Sequence, residues 1–150
     1  IFSERTPLLT AGNRAACNTM TIGWGSLGTL WSLPICTVFV RPQRYTYEFM
    51  EKNDYFTVSV FEPALQKTLT SCGKRSGRDF DKVKENHLTV AYAEGDAPYF
   101  EEAELVFVCK KLYAGLLNPN DFTDTRLEAH YPQKDYHKMF VGEVVQVWKK

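Results

Sequence analysis

The chain has 150 residues, of which 44% are hydrophobic and 24% are charged. This composition excludes a disordered chain, and the length predicts one domain spanning residues 1–150. Eighteen Lys and Arg residues balance eighteen Asp and Glu residues, so the zero net charge argues against non-specific binding to nucleic acid or to anionic membranes.

Seven short runs rich in β-branched or aromatic residues predict strands along the chain. Hydrophobic and polar residues alternate in Tyr55–Phe61 and in Val141–Trp148, which places one face of each strand on a core. Many short strands with few helices favour a mainly β protein, built as a small closed or partly closed barrel. The predicted strands are Leu8–Ala11, Asn18–Ile22, Ile35–Val40, Tyr55–Phe61, Leu88–Ala93, Leu105–Tyr113 and Met139–Trp148.

Three short helices are predicted from capping residues and from the positions of Pro and Gly. They are Tyr47–Asn53 after a Thr46 cap, Ala64–Cys72 between Pro63 and Gly73, and Phe80–Asn86 after a cap at Ser76 or Asp79. A parallel sheet needs a crossover helix between neighbouring strands, and so few helices disfavour that arrangement.

The 26 residues from Ala15 to Val40 contain no charged side chain, although a uniform 24% would place about six there. Asn18, Pro34 and several glycines interrupt the segment, so we do not interpret it as a membrane-spanning helix. Within it, Gly23–Gly28 matches the G-x-G-x-x-G pattern of dinucleotide-binding loops. Because Pro34 leaves no room for the helix that this motif requires, we interpret Gly23–Gly28 as a glycine-rich loop between two strands.

A P-loop and a metal site are also excluded, because the residues that each requires are missing. Gly73–Ser76 lacks the Ser or Thr that directly follows the lysine of a P-loop. His130 and His137 have no neighbouring Cys or third His, so no metal site is predicted. No signal peptide is visible and the cysteines include no C-x-x-C pair, so we expect reduced thiols in a cytoplasmic protein. The cysteines are Cys17, Cys36, Cys72 and Cys109.

Three polar segments lie at the ends of predicted elements. Asn18–Thr21 offers hydroxyl and amide groups, Arg41–Thr46 places guanidinium groups at a helix start, and Cys72–Asp79 is a basic loop with glycines. Guanidinium groups and the free N–H groups of helix starts bind phosphate. With Trp24 and Trp31 nearby, the segments predict a ligand with an anionic end and a flat apolar end. Each feature alone has a structural explanation in loop solvation, helix capping or, for the tryptophans, core packing.

The longer motifs resemble the flavin reductase-like family, and within it the flavoredoxin-like branch. Val40–Thr46 reads Val-Arg-Pro-Gln-Arg-Tyr-Thr, and Cys72–Asp79 reads Cys-Gly-Lys-Arg-Ser-Gly-Arg-Asp. Together with Asn18–Gly25 and weaker pieces such as Leu9–Gly12, they follow the family's order along nearly the whole chain. The resemblance implies a Greek-key split β-barrel, with a few short helices, that binds FMN.

The resemblance also implies which side chains contact the cofactor. The isoalloxazine and ribityl chain would be lined by Asn18, Met20, Thr21 and Trp24. The phosphate and ribityl would be held by Arg41, Arg44, Tyr45 and Thr46, and the neighbouring loop would close the pocket with Cys72, Gly73, Ser76, Gly77 and Lys82. His137 is a candidate catalytic residue near flavin or nicotinamide, or else a structural histidine engaged in hydrogen bonds.

In function, the resemblance implies an FMN-dependent oxidoreductase: an NAD(P)H-dependent flavin reductase, or a flavoredoxin-like carrier that passes electrons to a small molecule or protein. It also implies a homodimer with FMN near the interface, which fits the uncharged Ala15–Val40 segment. Two alternatives stay open: a non-catalytic FMN-binding protein for electron transfer, storage or sensing, and a thiol-based redox protein. The second would use Cys72, whose pKa we expect to be lowered by Lys74 and Arg75 unless this cysteine is structural.

Overall fold

The computed structural model describes the backbone of residues 1–150 and the side chains of residues 1–65 and 69–150. The strands are β1 (Leu8–Gly12), β2 (Cys17–Thr21), β3 (Gly25–Leu30), β4 (Leu33–Val40), β5 (Tyr55–Val60), β6 (Val90–Tyr92), β7 (Pro98–Phe100), β8 (Leu105–Leu116) and β9 (Lys138–Lys149). The α-helices are α1 (Phe2–Arg5), α2 (Tyr45–Lys52), α3 (Pro63–Lys74) and α4 (Lys82–Glu85). Short 3-10 helices cover Glu94–Asp96, Pro119–Asp121 and Thr125–His130.

One large antiparallel sheet has the strand order β2-β1-β5-β8-β9-β4-β3, and β6 pairs with β7 beside it. The pairs β1–β5, β5–β8 and β4–β9 join strands that are not consecutive in the chain, as Greek-key connections do. Register shifts in β8, between Val108 and Cys109 and between Lys111 and Tyr113, bend the long β8–β9 pair. The prediction of a mainly β protein is therefore confirmed.

Apolar side chains pack on both faces of this sheet. One cluster contains Leu9, Val38, Val58 and Phe140, and α2 adds Met50 to it. A second cluster contains Leu8, Leu69, Phe100 and Val106. Because successive side chains of a strand point to opposite faces, Leu8 and Leu9 place the two clusters on opposite sides of β1. Both faces of the central strands are thus covered, which holds β1, β2 and their loops in place.

Two strands were not predicted. Gly25–Leu30 pairs with Leu33–Val40 as a hairpin, so the interpretation of Gly23–Gly28 as a loop is wrong from Gly25 onward. The hairpin turns at Trp31 and Ser32, whose φ angles of 53° and 59° match the twist that two-residue hairpin turns require. Every side chain from Ser26 to Ser32 is exposed, so the segment lacks the alternation that reveals a strand. Pro98–Phe100 was missed because it is only three residues long.

The helix boundaries correct the predicted caps. Arg44, and not Thr46, is the N-cap residue of α2, and Thr46 lies within the helix. Pro63 is the first residue of α3 as predicted, but the helix continues through Gly73 to Lys74. Asp81 caps α4 by accepting the Lys84 N–H at 3.0 Å, so neither Ser76 nor Asp79 is the cap. No helix in the described part of the chain is both long and apolar enough to cross a membrane.

Candidate functional site

Two cavities share Met20 of β2 as a lining residue. The first, named here the cationic cavity, has a volume of about 230 Å³. Its lining residues are Met20, Gln43, Arg44, Tyr45, Thr46, Lys74, Arg75, Ser76, Gly77 and Lys82. The second, named here the aromatic cavity, has a volume of about 220 Å³ and is lined by Met20, Thr21, Ile22, Gly23, Trp24, Phe39, Arg41 and His137.

Polar side chains of β2 fix the strand that carries Met20, the residue shared by the two cavities. Asn18 is buried, and its amide nitrogen donates to the Thr46 hydroxyl at 2.8 Å. Thr19 is also buried, and its hydroxyl lies 2.9 Å from that of Thr10 on β1. These bonds connect β2 to the first turn of α2 and to its neighbouring strand. Asn18 and Thr46 were predicted as site residues from two different segments, and the structure joins their side chains by a hydrogen bond.

Arg44 and Lys82 give the cationic cavity its charge. The Arg44 guanidinium is partly buried and donates to the Gly73 carbonyl at 3.0 Å. The Lys82 ammonium is buried and donates to the Thr19 carbonyl at 2.6 Å and the Cys72 carbonyl at 2.7 Å. Burial lowers the pKa of Arg44, and Arg41 contributes to the same shift. Burial also lowers the pKa of Lys82 to about 8, and Arg44 adds to that decrease.

The cationic cavity lacks a carboxylate to balance these charges. Among its lining residues, all of which the structure describes, four are Lys or Arg and none is Asp or Glu. Repulsion between nearby cations is relieved when an anion binds among them. An anionic ligand with several acceptor oxygens is thus the complement of this cavity.

Two glycines let the end of α3 and the loop that follows it approach β2 closely. A Cβ built on Gly77 would overlap the Asn18 side-chain oxygen, and one built on Gly73 would overlap the Thr21 hydroxyl. Neither glycine has a positive φ angle, so the requirement is for space and not for an unusual backbone conformation. The absence of side chains at Gly73 and Gly77 allows the basic loop and β2 to form one wall.

Arg41 lies apart from the cationic cavity and lines the aromatic one. Its guanidinium pairs with Asp135 at 2.8 Å and donates to the His130 carbonyl at 2.9 Å. It also stacks 5.0 Å from the centre of the Tyr131 ring. In this structure Arg41 thus anchors the segment before β9. Asp135 and Tyr131 were not predicted as site residues, since nothing local in the sequence pairs them with a residue some ninety positions earlier.

The segment before β9 also carries His137, which lines the aromatic cavity. Its Nδ1 atom lies 2.9 Å from the Tyr131 hydroxyl, and its ring centre lies 4.8 Å from that of Trp24. Burial, assisted by the nearby Arg41, lowers the pKa of His137 to about 4. The imidazole is therefore neutral at pH 7, where it can accept or donate one hydrogen bond but carries no charge.

The two tryptophans occupy different environments. Trp24 lines the aromatic cavity and is 45% exposed, whereas Trp31 lies at the hairpin turn and is 58% exposed. Neither ring belongs to the apolar clusters of the core. The core-packing explanation for Trp24 and Trp31 is therefore wrong for this chain. Trp24 thus forms part of the lining of the aromatic cavity, and Trp31 lies outside both cavities.

Cys72 does not have the electrostatic environment expected of a reactive thiol. It is fully buried within α3, and the Asn86 amide nitrogen lies 3.4 Å from its sulfur. Burial raises the pKa of the Cys72 thiol, and this effect outweighs the opposing influence of Lys82. The predicted lowering of this pKa is therefore wrong. Cys72 contributes to the cavity through its backbone carbonyl, which accepts a hydrogen bond from the Lys82 ammonium.

Each predicted site residue lines one of the two cavities or contacts a residue that does. Met20, Arg44, Tyr45, Thr46, Ser76, Gly77 and Lys82 line the cationic cavity, and Met20, Thr21, Trp24, Arg41 and His137 line the aromatic one. Asn18, Cys72 and Gly73 support those walls through the contacts described above. No group of three metal-binding side chains occurs among the residues with described side chains.

The lowered pKa of His137 predicts a contribution to acid destabilisation. An unfolded His titrates near 6.5, whereas the folded one titrates near 4, so the unfolded chain binds more protons between these values. The free energy of unfolding should fall as pH decreases from about 6.5 to 4. His137→Gln should lessen this fall in urea titrations across that range. His87→Asn, which removes an exposed histidine, is the matched control.

The sequence of this chain matches a known protein family over almost its whole length. Residues 2–150 match the model of the flavin reductase like domain, so the chain belongs to the flavin reductase-like family. A comparison with curated proteins found no match.

Solved structures give the same result for the fold. Flavoredoxin from Methanosarcina acetivorans is 26% identical, with a TM-score of 0.74, and the match covers 96% of this chain and 67% of that one. An FMN-binding protein from Thermus thermophilus, solved with bound 1-cyclohex-2-enone, is 25% identical, with a TM-score of 0.70 and coverage of 99% and 74%. A Shewanella frigidimarina protein with a split barrel domain is 17% identical, with a TM-score of 0.74 and coverage of 99% and 70%. The predicted split β-barrel is therefore confirmed.

Proposed function

We propose that this protein is an FMN-dependent oxidoreductase whose cationic cavity binds the FMN phosphate and whose aromatic cavity holds the isoalloxazine. The observation that carries the proposal is the pairing of the two cavities through Met20. One offers cations without carboxylates, and the other offers Trp24 and Phe39 as apolar surfaces. FMN has this combination of a dianionic phosphate and a flat, largely apolar ring.

The donor groups of the cationic cavity fit a phosphate. Arg44, Lys82 and Ser76 supply guanidinium, ammonium and hydroxyl donors within one lining. The Lys82 ammonium has three hydrogens, of which two already bond to carbonyl oxygens, so one remains for an anion. Gly77 keeps the loop close enough to β2 to enclose such a group.

Bound FMN supplies the hydride or electron chemistry, and the chain has to bind and orient it. Met20 and Thr21 would lie along the ring, and Trp24 with His137 would limit access to it from one side. Because His137 is neutral at pH 7, it would act through a hydrogen bond and not as a cationic acid. Arg41 and Asp135 would fix the segment that carries His137.

The electron donor in this proposal is NADH or NADPH, and the product would be reduced flavin. Membership of the flavin reductase-like family supports this activity. The purified protein should show a flavin absorption spectrum after reconstitution with FMN. Adding NADH or NADPH without oxygen should then bleach that spectrum. A protein that fails to bind FMN would contradict the whole proposal.

A second candidate function is electron transfer without turnover of a nicotinamide. The likeness to a flavoredoxin at 26% identity favours it. In this case dithionite, but neither NADH nor NADPH, should bleach the FMN complex, and a small-molecule or protein acceptor should reoxidise it. The same anaerobic titration thus separates the reductase from the electron carrier, and from an FMN-binding protein for storage or sensing.

We also propose a cytoplasmic homodimer in which FMN lies near the subunit interface. The β3–β4 hairpin exposes Leu27, Leu30 and Trp31 without a charged residue among them. Apolar surfaces of this kind are typical of protein interfaces. Trp24 precedes the same hairpin and lines the aromatic cavity, so a partner covering the hairpin would lie beside the flavin.

The free thiols among the described cysteines suit a reducing compartment, which supports the proposed cytoplasmic location.

A further inference from the structure

The environment of the Lys82 nitrogen is unusual for a lysine. Lys82 is only 6% exposed, and it lines both the cationic cavity and a larger cavity of about 520 Å³. Its hydrogen bonds go to two backbone carbonyls, those of Thr19 and Cys72. No ion pair between Lys82 and a carboxylate occurs among the described side chains.

This arrangement suits a neutral amine as well as an ammonium ion. A neutral lysine amine has two N–H donors and one lone pair. The two carbonyls can accept both hydrogens, and the lone pair then occupies the remaining tetrahedral position of the nitrogen. Because no carboxylate holds a proton on the nitrogen, the neutral amine is accessible near physiological pH, as the pKa of about 8 indicates.

We propose that Lys82 is an imine-forming site for aldehydes that carry a phosphate. The phosphate would be held by Arg44 and Ser76, which line the same cavity as the Lys82 amine. The aldehyde carbon would then lie close to a nucleophilic nitrogen. The inference depends on the cations and the amine of this cavity, and it does not require the natural ligand to be a flavin.

The chemistry balances without a redox partner. The lone pair of the neutral amine attacks the aldehyde carbon and forms a C–N bond, while the carbonyl oxygen takes up a proton. The nitrogen releases one proton, which balances the proton taken up by the oxygen, and the resulting carbinolamine then loses its hydroxyl and the second nitrogen hydrogen as water, which leaves a C=N bond. Amine and aldehyde thus give one imine and one water. Protonation of the imine restores one N–H donor for a neighbouring carbonyl.

The burial of Lys82 distinguishes it from the other lysines of this region. Lys74 lines the same cavity but is exposed, and Lys84 lies exposed on the same short helix as Lys82. Burial lowers the pKa of Lys82 to about 8, so about half of this lysine is neutral amine at pH 8. The phosphate should therefore direct the reagent to the cavity, and the neutral amine should select Lys82 over Lys74.

The test uses pyridoxal 5′-phosphate as the probe on the intact wild-type protein at pH 8. Borohydride added after short incubation reduces the imine to a stable amine, and peptide mapping by mass spectrometry locates the adduct. We expect Lys82 to be modified at least about ten times faster than any exposed lysine. Pyridoxal, which lacks the phosphate, should lose most of this preference. Lys84→Arg is the matched control and should leave the Lys82 adduct unchanged.

Two outcomes would overturn the proposal. One is modification of Lys74 and the exposed lysines with Lys82 unmodified, and the other is equal labelling of Lys82 by pyridoxal and its phosphate. FMN added beforehand provides a separate test of the flavin placement. If FMN binds without protecting Lys82, the imine site stands and the proposed position of the FMN phosphate is wrong.

Discussion

Arg44→Ala should weaken FMN binding by about 10- to 150-fold and leave riboflavin binding nearly unchanged. A hydrogen bond to a charged group contributes about 1.5–3 kcal/mol, and this guanidinium lines the cationic cavity proposed for the phosphate. Riboflavin has the same ring and ribityl chain but no phosphate, so its affinity should not depend on the Arg44 guanidinium. Titration of the apoprotein with each flavin, followed by quenching of flavin fluorescence, measures both affinities.

Arg126→Ala is the matched control for this experiment. Arg126 is an exposed arginine that pairs with Asp124 through a 2.6 Å contact, and it does not line either cavity. Its removal should leave the affinity for FMN within about twofold of the wild type. An equal decrease for FMN and riboflavin in Arg44→Ala would contradict the assignment of Arg44 to the phosphate.

Leu27→Asp should convert the proposed homodimer into a monomer. Leu27 lies in the middle of β3, pairs with Cys36 of β4 and is 41% exposed in the single chain. If a second chain covers this strand, the substitution buries two unpaired carboxylates at a twofold interface. Each costs several kcal/mol, so the dimer dissociation constant should rise by at least about 100-fold. Sedimentation velocity at several protein concentrations measures the change.

Leu65→Asp is the matched control, because Leu65 is 38% exposed and belongs to α3 and not to the hairpin. It should leave the dimer intact. A wild-type protein that sediments as a monomer at every concentration, or a Leu27→Asp variant that remains dimeric, would contradict the proposed interface. Because FMN is expected near that interface, Leu27→Asp should also weaken flavin binding.

Local signals were sufficient to predict much of the sheet and part of the site. Alternating residues in Tyr55–Phe61 indicate a strand, and the structure places β5 at Tyr55–Val60. Arg44 was singled out in the polar segment Arg41–Thr46 and Lys82 through the family resemblance, and both line the cationic cavity. This agreement has a physical reason, since cations, hydroxyls and glycines at element ends are visible in the sequence without knowledge of the fold.

Features that depend on distant contacts could not be predicted. Arg41 pairs with Asp135, and no local pattern connects two residues so far apart in the chain. The pKa of Cys72 depends on burial by α3 and its neighbours, whereas the sequence indicated only that basic residues follow it. β3 was missed because its residues from Ser26 to Leu30 are all exposed and do not alternate between a buried and an exposed face.

The central claim is that this chain binds flavin through the phosphate, and titration of the wild-type apoprotein with FMN and riboflavin tests it most directly. We expect one FMN to bind per chain, with an affinity at least about tenfold higher than that for riboflavin. Equal affinities for the two flavins, or the absence of binding by either, would contradict the claim.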